Sequence, residues 1–143
     1  MLREVSADDA LPAWLTRLSP DEWIRQGLTE LGRAEQRLSS HDRVAAVLGL
    51  RRAAGMALNG ALSVQFRAWG RTYVEHLRAI VDDQAVPEAV RDAARLLNDV
   101  SLDKQANVVR LTPPSESARW LEAAKTVMAH AYAVVHGSAG RCS

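Results

Sequence analysis

The feature that most constrains this chain is a long apolar segment, residues 43–66, which reads RVAAVLGLRRAAGMALNGALSVQF. Its apolar side chains recur every three or four residues, which places them on one side of a helix. They are Val44, Leu48, Ala54, Leu58, Ala61 and Leu62. Ala and Leu are strong helix formers, and no proline interrupts the run. The segment is therefore predicted to be the central helix of an all-helical bundle.

Three glycines, Gly49, Gly55 and Gly60, lie within this predicted helix. A glycine in a helix interior costs about 1 kcal/mol relative to alanine. Such a residue is favoured where the backbone of a neighbouring element comes close, because it has no Cβ atom. We therefore expect other helices to approach the central helix closely at these three positions.

Two capping boxes mark the starts of the first and third predicted helices. Ser19 and Glu22 form the first box, with Pro20 at the first helical position, and Thr72 and Glu75 form the second. The apolar face of the first helix is predicted to contain Ile24, Leu28, Leu31 and Leu38. The sequence thus predicts helices on both sides of the central one.

A fourth helix is predicted to begin at Pro87, and residues 99–113 form a long irregular connection. The last helix begins at residues 112–115 and is predicted to end with a cap at Gly137. It carries two apolar stripes, Leu121, Ala124, Met128, Ala131 and Val135 on one side and Trp120, Val127 and Val134 on the other. A helix with two apolar sides lies either at the centre of a bundle or under a partner chain.

The chain of 143 residues is long enough for one domain with a single core. We predict a leader, residues 1–18, that docks on the bundle through Trp14 and Leu15. Residues 19–137 form the single domain, and residues 138–143 form a flexible tail. The expected fold is all-α, a four- to five-helix up-and-down bundle.

Charge and composition exclude several classes of protein. The net charge of +1, with acidic residues scattered among the basic ones, gives on its own no signal of the basic face that nucleic-acid-binding domains concentrate. No apolar run approaches the roughly 20 residues of a membrane-spanning helix, and the acidic N-terminus lacks a signal-peptide core. The single cysteine, Cys142, cannot form an internal disulfide. A cytoplasmic protein without membrane contact is therefore expected.

The helical layout resembles the HEPN domain superfamily over residues 20–136. The residues that carry this resemblance are the run 51–58 (RRAAGMAL), the later run 76–80 (HLRAI) and residues 110–113 (RLTP) before the last helix. The resemblance implies a small helical bundle that dimerises through its helix faces. It also implies a partner such as a nucleotidyltransferase, or a role in a toxin–antitoxin system.

Catalytic members of this superfamily carry an Arg-x(4–6)-His motif that cleaves RNA without a metal. A histidine can act as an acid or base near neutral pH, and a nearby arginine can hold a phosphate. Arg71 and His76 fit the spacing, but they fall at the start of the third helix rather than of the last one. In the last helix, Arg119 is followed by no histidine until His130. The resemblance therefore implies a non-catalytic member.

Three arginines, Arg51, Arg52 and Arg110, are candidate ligands for a phosphate of a nucleotide or RNA. The alternative for the first two is that one faces solvent and the other pairs with a carboxylate such as Glu30 or Glu35. The sequence leaves both readings open.

Several other residues have a structural interpretation. Asn59 is expected to make a polar contact at a helix crossing, and Trp69 and Trp120 are expected to pack between helix ends rather than to stack a base. His130 and His136 lie six residues apart, whereas helical zinc pairs lie four apart. His136 instead suits a cap at the helix C-terminus. No metal and no cofactor are expected.

These observations predict a non-catalytic homodimeric module that binds a protein partner, a nucleotide or RNA. The alternative is a metal-independent endoribonuclease of the toxin type that uses Arg71 and His76. A third possibility is an interaction bundle that binds no small ligand. We do not expect an enzyme.

Overall fold

A computed structural model describes residues 11–99 and 114–141, with side chains in the last helix described for residues 116–137. Within these residues every regular element is a helix, so the prediction of an all-α protein is confirmed. The helices are α1 (Ala13–Thr16), α2 (Pro20–Ser39), α3 (Arg43–Val64), α4 (Tyr73–Val81), α5 (Glu88–Asp99) and α6 (Pro114–Arg141). None of these helices is long and apolar enough to cross a membrane.

The five predicted helices correspond to α2–α6, and the two predicted capping boxes, at the starts of α2 and α4, are confirmed. The Ser19 hydroxyl accepts from the Glu22 backbone N–H at 3.1 Å, and a Glu22 carboxylate oxygen accepts from the Ser19 N–H at 2.8 Å. Thr72 and Glu75 form the same reciprocal pair at the start of α4. These local hydrogen bonds satisfy backbone donors that the first helical turn leaves without a partner.

Helices α2 and α3 lie antiparallel and very close together. A Cβ atom built on Gly60 would lie 2.7 Å from the backbone oxygen of Pro20, and one on Gly27 would lie 2.8 Å from that of Ala53. Real Cβ atoms do not approach backbone oxygens this closely. The two helices can therefore hold this distance only because these positions lack side chains.

The two other glycines of α3 are also contact points. A Cβ atom on Gly49 would lie 3.1 Å from the Cβ atom of Ala34 in α2. At Gly55 a Cβ atom would overlap the Tyr73 side chain at the start of α4. The prediction that neighbouring helices approach α3 at its glycines is therefore confirmed at all three positions.

Two leucines assigned to buried faces, Leu28 and Leu48, are instead exposed by 53% and 43%. The buried face of α2 is centred on Gly27, and each residue turns the helix by about 100°, so Leu28 lies well off that centre. Leu48 lies on the side of α3 opposite the fully buried Leu50. Spacing alone predicted the helices correctly but placed the centres of these two faces wrongly.

Helix α6 packs on α3, on α5 and on part of α2. Ala124 on one stripe and Val127 on the other are both fully buried, and Trp120 is 3% exposed. The chain itself therefore covers both apolar stripes, and of the two sequence interpretations a position inside the bundle is the one observed.

The predicted end of the last helix at Gly137 is wrong, because α6 continues to Arg141. Among the described glycines, the left-handed conformation that ends many helices occurs at Gly70 and not at Gly137. His136 is therefore not a C-terminal cap. Its Nε2 atom lies 3.4 Å from a carboxylate oxygen of Asp21, in the first turn of α2.

We expect Gly60→Ala to lower the free energy of unfolding by about 1–3 kcal/mol, because the new methyl group meets a backbone oxygen that cannot rotate away. Gly32→Ala is the matched control, since a Cβ atom there meets nothing within 4 Å. That control is expected to gain about 0.5–1 kcal/mol from helix propensity. Urea denaturation followed by circular dichroism measures both values. Equal effects of the two substitutions would contradict the close contact at Gly60.

Candidate functional site

A groove of about 830 Å³ opens between α1, the start of α2, the C-terminal half of α3 and the start of α4 with the loop before it. Its volume falls in the range of small-molecule sites. The residues that line it are Trp14, Arg17, Trp23, Asn59, Gly70, Arg71, Thr72, Tyr73 and Glu75. Three of these nine residues are aromatic, and two are arginines.

Both arginines of the groove lie over tryptophan rings. The Arg17 guanidinium lies 5.1 Å from the ring centre of Trp23, and the Arg71 guanidinium lies 5.9 Å from that of Trp14. Such cation–π contacts hold a guanidinium in place without neutralising its charge. Neither arginine forms an ion pair with another residue of the described ranges. The groove therefore presents two positive charges beside aromatic surfaces, with Glu75 as the one carboxylate of its lining.

The first wall of the groove is α1, which is anchored by its neighbours. Leu15 is fully buried, and its backbone oxygen accepts a hydrogen bond of 2.8 Å from the indole N–H of Trp23. The Trp14 ring stacks on the ring of His76, with 5.9 Å between the ring centres. These contacts place Trp14 and Arg17 at the edge of the groove.

The opposite wall is the loop between α3 and α4, and Asp83 holds it. The Asp83 carboxylate accepts two hydrogen bonds of 2.8 and 2.7 Å from Arg67 and one of 3.0 Å from the indole N–H of Trp69. Burial acts to raise the pKa of Asp83, but hydrogen bonds from the Ala85 backbone N–H, from Arg67 and from Trp69 together lower it. Gly70 follows with a φ of +80°, a conformation that favours glycine. The sharp turn there brings Arg71 to the groove.

His76 lies behind the groove and is fully buried. Its Nδ1 atom lies 2.9 Å from the backbone oxygen of Trp69, and its Nε2 atom lies 2.8 Å from Oδ1 of Asn59. Burial lowers the pKa of His76 and outweighs the opposite effects of the Trp69 oxygen and the Glu75 carboxylate. The ring is therefore neutral at pH 7, and both of its nitrogens are engaged.

The candidate catalytic residues Arg71 and His76 thus occupy different positions. Arg71 lines the groove, whereas His76 does not line it and is separated from it by Asn59 and the Trp14 ring. Acid–base catalysis requires a nitrogen within hydrogen-bond reach of the substrate. In this arrangement His76 offers no such nitrogen.

The candidate phosphate ligands Arg51 and Arg52 have separate partners. Arg51 donates to the backbone oxygens of Leu97 and Asn98 at the end of α5, at 2.9 and 3.3 Å. Arg52 donates to Glu30 at 3.1 Å, so the predicted pairing of one of these arginines with a carboxylate is confirmed. Arg110 lies outside the described residues, and convergence of the three arginines stays a prediction.

A second cavity of about 670 Å³ lies beside α4 and the end of α5. Three arginines line it, Arg51, Arg78 and Arg95, but the carboxylates of Asp82 and Asp99 lie among them. Arg95 also forms an ion pair with Asp92. Because no aromatic side chain lines it and Arg51 and Arg95 already have partners, this cavity is less suited to a flat anionic ligand than the groove is.

The remaining candidates have structural roles, as predicted for the tryptophans. Trp69 and Trp120 are 6% and 3% exposed, and Arg43 lies over the Trp120 ring at 5.3 Å. Burial lowers the pKa of His130, which is half-buried. No group of three His, Cys, Asp or Glu side chains in the described part of the chain is placed to hold a metal ion. Cys142 lies outside that part.

No pattern in the sequence joins the residues of this groove. Trp14 was expected to be a docking anchor and Asn59 a polar contact, while Arg17 and Trp23 carried no signal of their own. The contact of Arg71 with Trp14 joins positions 57 residues apart, a separation at which no local pattern operates. Searches against models of protein families, curated proteins and solved structures find no match to this chain.

Since folding excludes the proton from His76, we expect the stability of the protein to fall in acid. The unfolded chain takes up a proton below the ordinary histidine pKa of about 6.5, whereas the folded ring resists it. Above about pH 6.5, His76 therefore does not lower the free energy of unfolding. That free energy decreases as the pH falls below this value.

Urea denaturation at pH 7.5 and pH 5 measures this loss in the wild type, in His76→Gln and in His41→Asn. His41 is an exposed control at a φ of 64°, a conformation that asparagine tolerates. We expect His76→Gln to lose less stability between the two pH values than the wild type, and His41→Asn to lose as much. The same loss in all three proteins would contradict a buried neutral His76.

Proposed function

We propose that this protein is a non-catalytic binding module whose groove takes a small anion with a planar ring, such as a nucleoside monophosphate. The observation that carries the proposal is the pair Arg17 and Arg71, which have no ion-pair partner among the described residues and lie on aromatic rings of the groove. Two guanidinium groups beside an aromatic surface are suited to a ligand that carries a negative charge and a planar ring.

The anionic half of the ligand follows from the arginines. A guanidinium binds phosphate or carboxylate through paired N–H donors, and such charge-assisted hydrogen bonds are stronger than neutral ones. The Arg17 and Arg71 side chains are both largely exposed, so an anion can reach them without opening the core. One phosphate between them would pair with both guanidinium groups, whereas Glu75, the carboxylate of the lining, accepts from the backbone N–H groups of Arg71 and Thr72.

The planar half follows from Tyr73, because the Trp14 ring already carries Arg71 and stacks on His76. Indole and phenol rings stack on flat ligands, and base stacking is worth about 1–3 kcal/mol for each base. Tyr73 is half-buried, and burial raises the pKa of its hydroxyl, so it stays a neutral donor. A nucleoside monophosphate matches both halves and fits the volume of the groove.

All residues that carry this proposal belong to one chain, so it requires neither a second copy nor a nucleotidyltransferase. Membership of the HEPN superfamily, a homodimer and a toxin–antitoxin role stay predictions. The proposal is also independent of Arg110, because the groove is lined by other arginines.

Isothermal titration calorimetry with adenosine 5′-monophosphate tests the proposal. Ribose 5-phosphate lacks the ring and adenosine lacks the phosphate, so we expect both to bind at least tenfold more weakly. Arg17→Gln and Arg71→Gln are each expected to weaken binding of the nucleotide about tenfold, because each removes a charged hydrogen-bond donor.

Arg119→Gln is the matched control, since Arg119 is an exposed arginine on α6 that does not line the groove. It should leave the dissociation constant within twofold of the wild-type value. Equal losses in all three variants would point to a general charge effect, and the absence of binding by the wild type would refute the proposal.

For the ribonuclease alternative, we expect no cleavage of a mixed-sequence RNA by the wild-type protein in EDTA. The reason is that both nitrogens of His76 are already hydrogen-bonded in the interior. Gel analysis of labelled RNA measures the outcome. Cleavage that His76→Ala abolishes, while Arg119→Gln retains it, would establish the alternative instead.

A further inference from the structure

The hydrogen bonds of His76 fix which of its nitrogens carries a proton. A neutral imidazole has one N–H donor and one acceptor nitrogen. The Trp69 backbone oxygen, 2.9 Å from Nδ1, can only accept, so Nδ1 carries the hydrogen. Nε2 is then an acceptor, and the group 2.8 Å away from it must donate.

That neighbouring group is the side-chain amide of Asn59, which has one oxygen and one NH₂ group. A half-turn of the amide plane exchanges Oδ1 and Nδ2 without moving any other atom. The neutral ring requires the orientation in which the NH₂ group donates to Nε2. The opposite orientation would suit only a doubly protonated ring, which this interior disfavours because a buried charge lacks the solvation of water.

The other end of the Asn59 amide is directed away from His76. Asn59 is only 2% exposed, yet it belongs to the lining of the groove. No other residue of the described ranges forms a hydrogen bond with this amide. With its NH₂ group held by His76, the amide offers its carbonyl oxygen to the groove.

We propose that His76 is a positioning residue that fixes the Asn59 amide with its oxygen toward the groove, so that the ligand ring must carry an N–H donor. This inference rests on the proposed function, and it names the class of ring within it. Rings with an exocyclic amino group, such as adenine, belong to this class. Rings that present only acceptors at their edge do not.

Two nucleotides that differ in a single group test the inference. Adenosine 5′-monophosphate carries the amino donor, and purine riboside 5′-monophosphate lacks it but keeps the ring, sugar and phosphate. Calorimetry at pH 7.5 should show about fivefold tighter binding of the first, which is the usual worth of one neutral hydrogen bond. Equal binding of the two would overturn the inference and leave the proposed function standing. Binding of neither would overturn both.

His76→Gln separates a positioning role from a merely structural one. A glutamine amide can present either a donor or an acceptor to Asn59, so it no longer fixes the orientation. We expect the ratio of the two dissociation constants to fall toward one, while the affinity for purine riboside 5′-monophosphate stays within twofold.

His41→Asn, an exposed control, should keep the wild-type ratio. An unchanged ratio in His76→Gln would overturn the role of His76. If that variant does not fold, as judged by circular dichroism, the wild-type comparison of the two nucleotides alone decides the inference.

Discussion

The close contact between α2 and α3 is the constraint on which the rest of the structure depends. Gly27 and Gly60 meet backbone oxygens of the opposite helix, and Gly49 meets the side chain of Ala34. Dispersion forces weaken steeply with distance, so many small side chains at short range stabilise a helix pair as well as fewer large ones. The cost of three glycines in one helix is offset because α3 is covered along most of its length.

A chain of contacts leads from this helix pair to the groove. The absence of a side chain at Gly60 leaves room for the backbone oxygen of Pro20, which would lie 2.7 Å from a Cβ on that glycine, and so lets the turn of α2 that carries Trp23 approach α3. Trp23 then holds Leu15 through its indole N–H, which places Trp14 against His76. Arg71 lies over the Trp14 ring. The groove is thus built outward from a backbone contact in the core.

The same arrangement gives buried polar groups a role in the groove. His76 and Asn59 satisfy each other at the crossing of α3 and α4, as interior polar groups generally must. Because Asn59 also lines the groove, the hydrogen-bond pattern of the core determines what a ligand meets there. In the proposed function, a fully buried histidine bears on recognition in this way without contacting the ligand.

Some features could be predicted from the sequence because their causes are local. The capping boxes at Ser19 and Thr72 depend on residues three positions apart, and the glycines of α3 signal a close neighbour directly. The faces of Leu28 and Leu48 were predicted wrongly, because periodicity gives the width of an apolar side but not its centre. That centre depends on which neighbour approaches most closely.

By itself, the sequence determined the helical class, the positions of most helices and the crowded surface of α3, because propensity, capping and side-chain size act over a few residues. Only the tertiary structure decided the groove. Arg17, Asn59 and Arg71 belong to segments far apart in the chain, and no short-range pattern relates them. They meet because the packing of the helices sets the position of each segment in space. That packing minimises the free energy of the whole core rather than of any one segment.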